Sequence, residues 1–383
     1  MFINLTYSRL FLLYKTVPRF KSIWIECLGD MGRFRISLVD DGINLRKAWT
    51  CDSQQWLSMA SDRAPETGRL YHHLATMAYQ NVLEQLFYYF KSLCVPVPFL
   101  NSRESIHKLF SRHFAMRSED TSTTFLRAHA ILFSGKYRKF LLPSVQSFVG
   151  NLNEHINTGN EINNDQWLIS GYQIAITLGC AILEYGSASN LIVRSIGLEK
   201  DGGLQNDDSN TFSASPNFLD AIEFAARTHN VVLRRSGDPN FHPYLHVTLS
   251  FLRHTSKFTM AMHYIKAKMP WKLISLILNK LLEDCASVDR IESEDFPRPN
   301  NEAPRPLPED YAQRGLLWVD GYYPDDWFAS KMDDDERYFE MPSMTEERQE
   351  RCLWLGCRLA SSGNWLTYDK STRQFGVPSR YDI

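Results

Sequence analysis

The chain has 383 residues, of which 44% are apolar and 13% aromatic, and its 42 basic and 44 acidic side chains leave a formal net charge of −2. That length suits two domains or one elongated helical array, with aromatic mass enough for a large core. Near-neutrality excludes a whole-molecule field as the means of holding nucleic acid, so any such contact needs a local basic patch.

Met1–Phe20, mixed apolar and basic, reads as one helix, and Ile23–Val39 as a stronger one. Within the second, Ile25, Leu28 and Gly32 follow the I/W-x2-L-G-x2-Y spacing of a tetratricopeptide unit, and Gly29 is small enough to admit a neighbouring helix. Tyr71, Leu74, Ala75 and Ala78 repeat the spacing. Leu28 and Leu74 lie 46 residues apart, against a unit of about 34. An insertion at Asp40–Leu45, where Asp-Asp-Gly signals a turn, takes up the excess. Ala60 and Pro65 fall where such a unit ends, so two degenerate repeats are expected.

Gly68–Phe110 predicts two antiparallel helices and the start of a third. Tyr71, Leu74 and Ala78 line one face; Leu83, Leu86, Phe87, Phe90 and Leu93 line the next, with a polar turn at Asn81. Pro96 and Pro98 stop the second helix, and Ser102 with Ser105 opens the third. Ser118–Thr124 is a polar break. Helices follow at Phe125–Phe133 and Phe140–Ile156 around the basic turn Gly135–Lys139, and Trp167–Tyr185 is apolar all round, the mark of a buried helix. Gly202–Ser215 is polar and acidic, a loop.

A helix resumes at Asn217–Val232. Asp238-Pro239 turns the chain, and His242–His254 and Met269–Leu282 form an antiparallel pair, with Pro270 in the first turn of its helix. Arg290–Pro308 carries five prolines as a connector. Leu307–Gly315 starts a short helix, Glu346–Ser361 is amphipathic through Leu353, Leu355 and Leu359, and Trp365–Phe375 is a docked tail. No strand-period segment stands out, and the class is all-α.

Several of these blocks carry a resemblance. GRLYHHLA, QLFYYFKSLCVPVPF and RESIHKLF look like the tetratricopeptide part of the Est/SMG proteins, factors of telomerase activation and nonsense-mediated decay. HPYLHVTLSFLRH, MPWKLISLILNKL, PRPLPEDYAQRG and RCLWLGCRLA resemble, in that order, the blocks of the Est-type DNA/RNA-binding domain. The resemblance spans roughly Ile23 to Phe375. It implies a 14-3-3-like part at 1–116, whose first helices precede Met1 in the family, then an Est-type helical domain at 117–383. It also implies single-stranded DNA or RNA, a telomerase or decay ribonucleoprotein and a phosphoprotein as partners, in nucleus or cytoplasm. The RNA-cutting members carry a PIN nuclease domain, and the chain ends too soon to hold one, so no catalysis is expected.

Arg33 and Arg35 lie on the LGDMGRFR helix, where a guanidinium can clamp a phosphate through two parallel hydrogen bonds. The resemblance places Arg33 in a phosphoserine pocket whose other basic residue comes from a segment before Met1; the bland reading is an ion pair with Asp30 or Glu26. Three basic sets can follow a phosphate backbone: Arg103, Lys108, Arg112 and His113; Lys136, Arg138 and Lys139; and Lys266, Lys268, Lys272 and Lys280. Tyr137 or Tyr264 is available for base stacking. Singly, each set is more often a solvated face, and it is their joint presence on an otherwise neutral chain that favours binding.

No cofactor or metal is expected. His242, His246, His254 and His263 lack the glutamate of a zinc-enzyme H-E-x-x-H helix and read as structural, with His242 as a helix cap before Pro243. Asp325, Asp326, Asp333, Asp334, Asp335 and Glu336 form a solvated polar run rather than carboxylates spread along the chain. The seven scattered cysteines suit reduced thiols, and Cys352 with Cys357 has no second Cys/His pair nearby for zinc. The apolar run at Leu10–Tyr14 is far shorter than the roughly 20 residues of a membrane span and lacks a signal-peptide cleavage site, so no membrane is expected.

Overall fold

A computed structural model describes residues 2–38, 43–114, 119–162, 166–200, 213–235, 237–285, 288–298, 304–329 and 340–381. Among the described residues the regular elements are helices and 3₁₀ turns, apart from one antiparallel ribbon of two three-residue strands, β1 (Thr367–Asp369) and β2 (Gln374–Gly376), and an isolated bridge between Thr67 and Val97. No helix among them is long and apolar enough to cross a membrane.

The first five helices are α1 (Phe2–Thr16), α2 (Lys21–Leu38), α3 (Ile43–Arg63), α4 (Gly68–Met77) and α5 (Val82–Lys91), each packed on its predecessor. The expected Met1–Phe20 helix stops at Thr16, because Pro18 opens a separate 3₁₀ turn. Gly29 acts as anticipated: a methyl group there would lie 2.8 Å from Leu57 Cγ on α3, and Ser53 Oγ donates to the Gly29 carbonyl at 2.7 Å. Asn81 caps α5 by accepting from the Glu84 amide. The first half of the insertion turn expected at Asp40–Leu45, residues 40–42, lies outside the described residues, and the second half is already helix, α3 starting at Ile43.

Next come α6 (Ser102–Phe114), α7 (Thr121–Ser134), α8 (Leu141–Ile162), α9 (Gln166–Ile182), α10 (Leu191–Lys200) and α11 (Pro216–Val232). The division expected at residue 116 falls on the link 115–118, outside the described residues, and the largest apolar core spans it: Phe90 and Ile106 belong to the same cluster as Phe224, Leu249 and Leu355. Helix α9 is the axis of this core, packed against α5, α8, α11 and α12 (His242–Thr255), as its all-round hydrophobicity predicts. Most of the loop expected at Gly202–Ser215 lies outside the described residues; Ser215 itself caps α11 through the Phe218 amide.

The chain continues through α13 (Thr259–Ile265), α14 (Trp271–Glu283), α15 (Val288–Glu292), α16 (Pro308–Gln313) and α17 (Pro342–Ser362). The antiparallel pair expected from His242–His254 and Met269–Leu282 is not the main packing of either helix. Thirteen of the fourteen α12 residues are buried, and that helix is enclosed chiefly by α9 and α17, while α14 packs on α17 and β2. A rod apolar on every side needs several neighbours, which a single hairpin partner cannot supply. His242 does not cap α12 either: Phe241 occupies the cap position and no side chain bonds there. Pro270 stands one residue before α14. The tail is docked as anticipated, the Asn279 side chain pairing with both the amide and the carbonyl of Phe375.

Two polar inserts fasten this core. Glu309 and Asp310 of α16 are fully buried, as are Arg348 and Arg351 of α17. Arg348 grips Glu309 through two bonds of 2.6 and 3.0 Å and reaches Glu340 with two more. His246 shares Glu309 at 3.0 Å and meets Tyr322 Oη at 2.9 Å. Asp310 accepts from the Leu307 amide, Trp327 Nε1 and Tyr323 Oη, and Arg351 stacks 3.8 Å over Phe296. Burial pushes the Glu309 carboxyl up, but Arg348 and His246 outweigh it and hold the group below its ordinary value. The second insert is Lys91, buried on α5, whose Nζ donates to the carbonyls of Ala312 and Tyr311 and lies 4.3 Å over the Tyr71 ring.

Candidate nucleic-acid interface

The three basic sets occupy neighbouring elements. On α6, Arg103, His107 and Ser111 recur every fourth residue and share a stripe. They line an open groove of about 520 Å³ with Phe110, Ala130, Ile131, Phe133, Ser134, Lys136 and Tyr137. Arg103 also donates to the Tyr185 carbonyl at 3.1 Å and lies 5.3 Å over the Phe133 ring, so part of its hydrogen-bonding capacity is structural. Lys108 and Arg112 stand on the next stripe, both exposed, with Lys108 bonded to Glu104 at 2.7 Å.

The second set follows α7. That helix ends on Gly135 in the left-handed conformation (φ 65°), and Tyr137 is left-handed as well (φ 59°). Two such residues within three positions turn the chain sharply between α7 and α8 and leave Lys136, Tyr137, Arg138, Lys139 and Phe140 exposed. Arg138 crosses to α11, pairing with Asp220 and donating to the Pro216 carbonyl at 3.3 Å.

The third set meets the same helix further along. Lys268 pairs with Glu223 at 2.9 Å, and Glu223 also holds Arg227 at 2.7 Å. Asp220 and Glu223 are three apart and share one face of α11, which therefore receives the second set at one carboxylate and the third at the next. Lys266 ends α13; its carbonyl accepts from Trp271 Nε1 at 2.8 Å, and Lys272 follows, exposed, on the first turn of α14. Lys280, grouped with them in the sequence, sits two turns further on beside Gly237 and so lies apart from them.

Sequence reasoning missed the carboxylates Asp220 and Glu223, although their spacing on a predicted helix is readable. It also missed Phe140, 49% exposed beside the basic turn, and His107, which the four-residue spacing from Arg103 signals.

The other sequence-selected groups are dispersed. Arg33 forms the i, i+3 pair with Asp30 at 3.1 Å, and His73 approaches the same carboxylate at 3.3 Å. Arg35 bonds to Asn4 and stacks 4.7 Å over Trp49. Asp326 is clamped by Arg298 through two bonds of 2.7 and 2.8 Å, and Asp325 beside it is exposed; Asp333, Asp334, Asp335 and Glu336 lie outside the described residues. Among the described residues no group of three or more His, Cys, Asp or Glu can hold a metal ion, and the cysteines are free thiols.

Residues 53–321 match the family model described as the Est1 DNA/RNA-binding domain. The chain belongs to that family. Within this Est1-type chain, an 86-residue stretch is 34% identical to the telomerase-binding protein EST1A of Danio rerio; the stretch is 22% of this chain and 5% of the relative's length. The fold also matches a chain of the crystal structure of Est1 and Cdc13, with a TM-score of 0.58 at 11% identity, covering 94% of this chain and 71% of that one. At that identity the likeness speaks for the fold. All three basic sets fall inside the matched Est1 domain, whereas Arg33 and Arg35 precede it.

Proposed function

We propose that this Est1-family chain is a binding adaptor that holds single-stranded DNA or RNA within a telomerase-associated ribonucleoprotein, in nucleus or cytoplasm, without a reaction of its own. One observation carries the reading: inside the matched domain, the groove, the 135–140 turn and the α11–α13 contact string cations together around exposed rings. Cations at intervals neutralise phosphates, and rings interleaved with them stack bases without regard to sequence. The Danio rerio relative, a telomerase-binding protein, supports telomerase association, and the Est/SMG resemblance adds nonsense-mediated decay as a second process.

Titration of single-stranded oligonucleotides tests it. Affinity falls as salt rises, and removing charge at Lys266 and Lys268 together shallows the salt dependence by up to about one unit of slope for each phosphate no longer neutralised. The competing reading is a protein scaffold that takes a phosphorylated or helical peptide without nucleic acid, a phosphate being held by Arg33 and Arg35. It has less support, since Arg33 and Arg35 lie outside the matched domain, which holds all three basic sets. Tight phosphoserine-peptide capture lost in Arg33→Ala, with no oligonucleotide binding, establishes that alternative. RNA cleavage by the purified chain refutes the non-catalytic part.

A further inference from the structure

We propose that the groove between α6 and α7 is a subsite for a single unstacked nucleotide: the base lies on the Phe110–Phe133 floor, and Tyr137, His107 and Lys136 close the rim on base and phosphate. The proposal rests on the nucleic-acid reading above and adds the place and the unit that is recognised.

The groove has the two chemistries a nucleotide needs, arranged in two layers. Its floor is apolar and aromatic: Phe110 and Ile131 are buried, and Phe133 is half-buried under Arg103 and edge-on to His107 at 5.2 Å. Its rim carries the cations Arg103 and Lys136, the imidazole of His107 and the hydroxyls of Ser111 and Ser134. At about 520 Å³ it lies within the roughly 300–1,000 Å³ usual for small-molecule pockets. A phosphoserine would use the rim and leave the aromatic floor wet; a base with its phosphate uses both. The backbone adds a third observation. Tyr137 keeps a left-handed conformation unusual for a side-chain-bearing residue, and it is 64% exposed at the groove mouth. Exposed aromatics serve as stacking platforms in single-strand binders.

The test uses the full chain and a single-stranded oligonucleotide carrying 4-thiouridine. Photo-crosslinking is expected to mark the peptide containing residues 135–139 or that containing residues 103–111. Tyr137→Ala weakens binding roughly five- to 150-fold while leaving the salt slope in place. Tyr137→Phe retains affinity, and Lys136→Gln lowers the slope by about one. Tyr137→Gly keeps the left-handed turn without the ring, so a loss shared by the Ala and Gly variants belongs to stacking and not to a disturbed loop. If crosslinks map elsewhere and the Tyr137 variants bind normally while Lys268→Gln still weakens the complex, the groove is overturned and the wider reading stands. If the unaltered chain binds no oligonucleotide, both fall. A phosphoserine peptide that occupies the groove without competing with oligonucleotide overturns the subsite as well.

Discussion

Two charged regions of this molecule use the same residue types to opposite ends. At the α12–α16–α17 junction, Glu309, Asp310, Arg348 and Arg351 are sealed from water and set against one another. Along α6, the 135–140 turn and α11, the cations are solvated, and so are the carboxylates they pair with. A buried pair cannot lose one member without stranding the other in a low dielectric, so its removal registers as lost stability. An exposed pair is screened and exchangeable, and its removal leaves the fold almost untouched. Burial, rather than charge, separates the part that builds the domain from the part proposed to grip a ligand.

The largest effect expected from that contrast is at Glu309. Glu309→Gln leaves Arg348 without half of its bidentate partners and should lower unfolding free energy by about 3–5 kcal/mol, read from the urea midpoint, with oligonucleotide affinity of the folded fraction unchanged. A cost below about 1 kcal/mol would erase the distinction between the two regions.

Acid is the next lever. Burial holds His129 and His229 at about 3 and His242 at about 4, far below the ordinary imidazole. The unfolded chain therefore binds protons that the folded chain refuses once pH drops below about 6.5, and stability falls. At pH 5 each of His129 and His229 contributes roughly 2 kcal/mol of that loss. Glu309 acts lower on the scale: its contribution is complete above its unfolded value of about 4.3 and disappears only as pH falls toward its depressed folded value. Urea midpoints at pH 7, 6 and 5 should decline, and His129→Phe should flatten the decline; a flat profile in the unaltered chain contradicts the buried-histidine account.

The smallest structural effect accompanies an informative gain. Asp220→Asn with Glu223→Gln frees Arg138, Lys268 and Arg227 from internal carboxylates. Stability should shift by no more than about 0.5 kcal/mol per site, while oligonucleotide affinity rises and its salt dependence steepens. Weaker binding in this variant would show that the pairs position the cations and do not compete for them.

Most of the fold was legible because helical intervals of apolar residues carry it. Leu86, Phe87 and Phe90, and the uninterrupted apolar length of α9, name their own burial. Periodicity does not reveal α3, α10, α13 or α15, and α15 runs into the start of the stretch expected as the Arg290–Pro308 connector. The last three are short, and what starts α10 is the Asn190 side chain accepting from the amides of Ile192 and Val193. Which helix lies beside which was less legible: α12 prefers α17, some ninety residues later, over its near neighbour α14. Long-range pairing of this kind depends on shape, which local periodicity does not encode. At the interface the cations were visible as sequence clusters. That the 135–139 turn and the 266–268 turn share α11 was not, because their link runs through Asp220 and Glu223, neither of them basic.

Lys91 has one more consequence, for the order in which the polypeptide matures. Among the described residues its ammonium finds carbonyls at Tyr311 and Ala312, and the Cys94 carbonyl receives the Leu317 amide, so these partners of the fifth helix and the turn after it are synthesised some 220 residues later. At about 5–20 residues per second, the ribosome takes on the order of 10–45 seconds to deliver them, and until then a cation meant for the interior faces water or a chaperone.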